Sequence, residues 1–151
     1  LFRTIVPASP ALTLVSTSGA YVISTDGTAI LAASTTSDAL KLPLVTDQSG
    51  LIVARGQQIL PAHDVAFIQT IIYQLHAKKI EVSSLVLPVR SRQVEAHLAG
   101  QPYYIKFNLA ANGDGRQQAG TFLATQAKLQ SQGITPSQYI DVRVDGRVYY
   151  Q

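Results

Sequence analysis

Cysteine, methionine and tryptophan are all absent from the 151 residues. Without cysteine there is no disulfide and no thiolate metal site, so a packed core must carry the stability. The absence of cysteine also fits an extracytoplasmic domain that is not stapled. Charge is sparse: charged residues are 14% of the chain and hydrophobic ones 46%, with a mean hydropathy of +0.15. That balance excludes a disordered tail and a solvated coiled coil. The net charge of +3 and pI near 9.3 make an anionic surface a tolerable neighbour. Lys and Arg are scattered, however, and form no basic stripe of the kind nucleic acid requires. No apolar run reaches the roughly 18 to 20 residues that cross a bilayer, and the order of a signal peptide is missing from the front. The chain opens in mid-pattern with Leu1-Phe-Arg-Thr-Ile5 and no initiator methionine, and reads as a fragment.

What is present is a succession of short β-rich runs broken by two helical patterns. Ala11–Val15, Ala20–Ile23 and Thr28–Leu31 read as strands, with Thr25-Asp-Gly27 as a hairpin turn between the last two. Polar Ser34–Asp38 breaks the pattern. Leu42–Val45 and Leu51–Val53 read as further strands around the turn Asp47–Gly50, with Pro43 marking a strand start or an edge. From Ala62 to Lys79 the period changes. Val65, Ile68, Ile72, Leu75 and Lys79 fall at three- and four-residue steps with Ile71 beside them, and Asp64 and Lys78-Lys79 match the helix dipole. Ile80–Leu87, Gln93–Leu98 and Tyr103–Leu109 return to strand character. Asn112-Gly-Asp-Gly115 opens a second helix over 116–132, with Gly133 as its C-terminal stop.

The organising stretch is the last one. Ile140, Val142 and Val144 alternate with Asp141 and Arg143, the period-two pattern of a half-buried strand. Asp145-Gly146 suits a type I′ turn with φ > 0 at both positions, and Arg147–Tyr150 reads as a short returning strand. Asp141 and Arg143 share a face and are placed to pair, though a solvated strand face has the same pattern. Tyr149 and Tyr150 point to opposite faces, so one is expected in the core and the other exposed as an interface aromatic. Two helices among many antiparallel strands predict an α+β fold: a mostly antiparallel sheet, two helices packed on one face, and a C-terminal β-hairpin.

Catalytic and metal chemistry find little support. His63, His76 and His97 are dispersed, without the i, i+4 spacing of a helical ligand pair, and read as surface histidines. Asn112-Gly-Asp-Gly115 lacks the Lys-Ser/Thr of a P-loop and reads as a capped turn. Ser83-Ser84 has no nucleophile elbow, and the nine acids lie mostly in turns and helix ends rather than as a glycosidase pair. No cofactor is expected.

Tyr139-Ile-Asp-Val-Arg-Val144, followed by a turn and a terminal strand, resembles the C-terminal end of the FtsQ/DivIB family of bacterial cell-division proteins. The Tyr21-Val-Ile-x-x-Asp-Gly27 hairpin, the Leu42-Pro-Leu-Val45 step and the helix–strands–helix order agree with that family. Ser24 departs from the aspartate usual after the hydrophobic run, and the 145–146 turn is one residue shorter than in some relatives. The resemblance implies a membrane protein anchored by one N-terminal helix, with a POTRA-like domain ending near residues 1–7 and a β-domain over 8–151 on the extracytoplasmic side. It implies a non-enzymatic divisome scaffold, monomeric as an isolated domain, that binds FtsB/DivIC-like and FtsL-like partners. Carried onto this sequence, the partner-binding residues are Arg143, Val144, Gly146, Arg147, Val148 and Tyr149. The expected mechanism is strand addition to the C-terminal edge, with Arg143 meeting an acid of the partner. An extracytoplasmic wall- or surface-binding module is the alternative, and exposed aromatics along one groove would be its sign.

Overall fold

The computed structural model describes residues 9–33, 41–89, 91–110 and 113–151. The expected tail at 1–7, the break at Ser34–Asp38 and Asn112 lie outside them. In chain order the elements are β1 (Pro10–Ser16), β2 (Gly19–Ser24), β3 (Ala29–Ala32), β4 (Leu44–Asp47), α1 (Ala62–His76), β5 (Val82–Leu87), β6 (Gln93–Leu98), β7 (Tyr104–Asn108), α2 (Gly115–Ser131), β8 (Tyr139–Val144) and β9 (Arg147–Tyr150). The strands form one sheet in the order β3-β2-β1-β4-β5-β6-β7-β8-β9. Five neighbouring pairs are antiparallel, while β1–β4, β4–β5 and β7–β8 are parallel. This is the α+β architecture expected from the sequence, closing on the β8–β9 hairpin.

Topology explains why both helices share a face. A parallel pair needs a crossover, and α1 makes the one from β4 to β5 while α2 makes the one from β7 to β8. β4 and β7 point the same way, and both crossovers step in the same direction along the sheet. With one handedness of crossover, both helices must land on the same side. There they meet at Gly115, where an added Cβ would lie 3.3 Å from Phe67. The core fills the space between helices and sheet with Leu12, Leu14, Ile23, Ile68, Ile71, Leu75, Ile105, Phe107, Phe122 and Ile140, all fully buried.

Three local expectations are corrected. Leu51–Val53 is not a strand. The Asp47 carboxylate accepts hydrogen bonds from the backbone N–H groups of Ser49 (2.9 Å) and Leu51 (2.8 Å), turning the chain off the sheet. Val53 is buried by packing rather than by strand pairing. Helix α1 stops at His76 rather than Lys79, and its buried stripe is Val65, Ile68, Ile71 and Leu75, with Ile72 half-buried at the flank. The stop is a Schellman closure: Lys79 N–H donates to His76 O (2.9 Å) and Ile80 N–H to Leu75 O (3.0 Å). Third, Gly146 has φ 74° but Asp145 is not among the positive-φ residues, so the β8–β9 turn is not type I′.

Both helices end alike. In α2 the same paired bonds run from Gly133 to Gln130 O (3.1 Å) and from Ile134 to Leu129 O (2.9 Å), with Gly133 at φ 70° as the sequence predicted. At the equivalent place α1 carries Lys79 at φ 61°. A Cβ in that left-handed region costs about 1 kcal/mol that glycine avoids. Lys79→Gly is therefore expected to raise stability by roughly 0.5–1 kcal/mol, read from the urea midpoint. A lower midpoint would show that the lysine side chain supplies more than its backbone strain removes.

Candidate partner-binding edge

The two ends of the sheet are treated differently. At one end the first half of β3 is closed by the segment 55–58. Ala29 N–H donates to Gln57 O (3.0 Å), Gly56 N–H to Ala29 O (2.7 Å), and Arg55 Nε–H caps Ile30 O (3.2 Å). At the other end lies β9, four residues long, with β8 on one side of it in the sheet order. Edges with unpaired backbone are either protected or used.

Which groups of β9 face outward follows from the register. Tyr139 and Gln151 exchange both hydrogen bonds (3.1 and 3.0 Å), so they form a closely bonded pair. Counting back, Ile140 and Tyr150 face each other without bonds and Asp141 and Tyr149 form the next bonded pair. The register then shifts, so Val142 and Arg143 together oppose Val148 before Val144 meets Arg147. Tyr149 and Arg147 thus bond to β8, while the N–H and C=O of Val148 and Tyr150 point away from it. No backbone hydrogen bond joins those outward groups to another described segment.

The bulge frees the backbone N–H of Arg143, and Asp141 takes it. Asp141 Oδ1 accepts from Arg143 N–H (3.0 Å) and from its Nε–H (2.9 Å), and Oδ2 accepts from Nη2–H (2.8 Å). Arg143 Nη1–H also donates to the Gln93 side-chain oxygen on β6. Burial pushes the Asp141 carboxyl pKa up. The Arg143 hydrogen bonds, with the nearby Arg143 and Lys106 charges, more than reverse this and hold it below the usual range. The same hydrogen bond to Asp141 raises the Arg143 pKa.

This outcome departs from the simple alternation read from sequence. Ile140 and Val142 are buried as expected, but so is Asp141, and Val144 is 50% exposed. Asp141 has the parity of Tyr139 and Arg143 and is covered by the Arg143 side chain that it holds, and the bulge breaks the period-two count before Val144. Neither terminal tyrosine is core: Tyr149 and Tyr150 are 48% and 49% exposed, while Val148 is the β9 residue packed against the core. Arg143, Val144, Gly146, Arg147, Val148 and Tyr149 all lie in this one hairpin. Tyr150, weighed with Tyr149 as an interface aromatic, and Gln93 lie outside the six expected residues. Tyr150 has the same parity as Val148, so a period-two count from Val148 finds it, whereas Gln93 lies fifty residues from Arg143 and leaves no local signal.

Below the turn, α2 braces the hairpin. Asp114 caps the helix by accepting from Gln117 N–H (3.1 Å), and the Gln117 side-chain amide donates to Asp145 Oδ1 (3.2 Å). The Gln118 side chain bonds Asn108 at both backbone groups, accepting from N–H (2.8 Å) and donating to C=O (3.1 Å).

On the helix-free face, neighbouring strands bring aromatic rings into a row. His97 stacks on Tyr104 with centroids 5.0 Å apart, Tyr139 follows at 6.3 Å, and Lys106 Nζ lies 3.9 Å over the Tyr139 ring. Burial, then the charges of Glu95, Tyr139 and Asp141, push the Tyr104 pKa up against the opposing Arg143. A shallow groove at this row is lined by Ser84, His97, Gln101, Tyr104, Ser137 and Gln138. The three histidines stand apart: His63 beside Asp64 (3.3 Å), His76 beside Glu81 (2.7 Å) and His97 on Tyr104. Among the described residues no three His, Asp or Glu side chains are grouped so as to hold a metal, and no helix is long and apolar enough to cross a membrane. Compared with protein-family models and with curated protein sequences, the chain has no match in either.

Proposed function

We propose that this is a non-enzymatic interaction domain whose C-terminal edge accepts a strand from a partner protein. The observation that carries the reading is the asymmetry of the sheet: β3 is covered at Ala29 and Ile30 by residues 55–58, while the outward groups of Val148 and Tyr150 are left beside exposed Val144, Tyr149 and Tyr150. Exposed tyrosines flanking an open backbone ladder are a common basis for strand addition, where backbone bonds give affinity and side chains give selectivity. The resemblance to FtsQ/DivIB proteins supplies the partner class: FtsB/DivIC-like and FtsL-like division proteins, met on the extracytoplasmic side of a membrane to which the full protein is anchored.

The test is a titration with the soluble extracytoplasmic segment of the FtsB/DivIC-like protein from the same organism. Val148→Pro removes an outward N–H and leaves the β8 ladder bonds alone, so the variant should fold and bind at least about tenfold more weakly. Tyr149→Pro, one residue on, deletes a donor to β8 and should loosen the hairpin itself. Binding by folded Val148→Pro at wild-type strength would refute strand addition. No binding by the wild type would refute the partner assignment. The aromatic row on the bare face keeps a wall-binding module as a second reading, and retention of the wild-type domain on purified cell wall, undiminished by Tyr104→Ala, would count against the row as its site.

A further inference from the structure

Arg143 has five N–H donors, and three of its side-chain donors are engaged within the chain: Nε–H and Nη2–H by Asp141 and Nη1–H by Gln93. One donor on each terminal nitrogen has no partner among the described residues. The guanidinium is thereby fixed between β6 and β8, with the carboxylate that fixes it directly opposite Tyr149 of the open strand. That carboxylate also takes the backbone N–H released by the bulge, so one side chain sets both the shape of the hairpin and the direction of the fork.

We infer that Asp141 and Gln93 are positioning residues for partner binding, holding Arg143 as a preorganised two-donor fork that receives a carboxylate of the added strand. The inference rests on β9 being the binding edge. A free arginine would lose rotamer freedom on meeting a carboxylate, and a fork already held in place loses little. Asp141 and Gln93 need touch no partner atom to act; they act through Arg143. The effect of Gln93 must then vanish when Arg143 is absent, which a merely structural contact would not produce.

The experiment is a double-mutant cycle on the same titration, with thermal melting run beside it. Gln93→Ala should leave the melting temperature unchanged and weaken binding about five- to tenfold. In an Arg143→Ala background it should have no further effect. Asp141→Ala should weaken binding more, and in the unliganded protein the Arg143 Nε–H signal in the NMR spectrum should lose its protection from exchange. Additive effects of Gln93→Ala and Arg143→Ala, or wild-type affinity in Gln93→Ala, would overturn the inference. A protected Nε–H in Asp141→Ala would overturn it independently of any partner. A wild-type domain that fails to bind refutes the partner assignment instead, and the Nε–H signal then still decides whether the clamp exists.

Discussion

Gly27→Ala should cost about 3 kcal/mol or more, read as a fall in the urea midpoint or loss of cooperative unfolding. Gly27 sits in the β2–β3 turn at φ +88°, and a Cβ built there falls 1.8 Å from the Leu60 carbonyl oxygen. That neighbour is backbone, so no side chain can swing aside. Moving it away would break the bonds by which Ile59 N–H (2.8 Å) and Leu60 N–H (3.2 Å) reach Gly27 O. Those bonds fix the chain just before Pro61, where α1 begins, so the damage spreads to how the helix seats on the sheet. Gly146→Ala is the control. It shares the left-handed backbone at φ +74° but an added Cβ meets nothing within 4 Å, so only the conformational cost of roughly 1–2 kcal/mol remains. Equal losses at the two sites would show that the Leu60 contact is unimportant.

Arg92→Ala should cost about 3 kcal/mol, the lower end of what is lost when one partner of a buried ion pair is removed. Asp64 in the first turn of α1 is 2% exposed, and Arg92 grips both its oxygens at 2.8 Å while also donating to Leu109 O (3.2 Å). Arg92 itself is half in solvent, which places the expected loss at the lower end. Without it the buried carboxylate keeps His63 Nδ1 at 3.3 Å as its side-chain neighbour. The hydrogen bond to Asp64 also raises the Arg92 pKa, the sign of a pair favouring its charged form. Replacing both members together, Asp64→Leu with Arg92→Met, should restore much of the loss, because no charge is then left buried. If the single and double variants unfold at the same urea concentration, the loss comes from Arg92 packing rather than from a stranded charge.

Much of this molecule was legible in the order of its residues. β-forming composition placed β1, β2, β3, β6 and β7, and hydrophobic period placed α1, because both record which side of a segment must leave water. Capping chemistry placed the start of α2 in the stretch 112–115, where Asp114 is the cap, and its end at Gly133, because those residues satisfy backbone groups within a few positions. The same local logic failed at Lys79, where closure of α1 over the sheet imposes a left-handed residue without the glycine that would announce it. It failed again at Leu51–Val53, where an aspartate-capped turn competes with strand pairing.

What the sequence by itself determined is therefore most of the elements, their apolar faces and the hairpin that carries Arg143 to Tyr149. The tertiary structure decided which edge is open and what holds it. Alternation tells which face of a strand is wet but not which strand will be last in the sheet, since that depends on the order in which β4, β5, β7 and β8 pair. Nor does it tell that Gln93 and Asp141 both reach Arg143, because a side-chain partner across three strands is set by register, and register is a property of the assembled sheet.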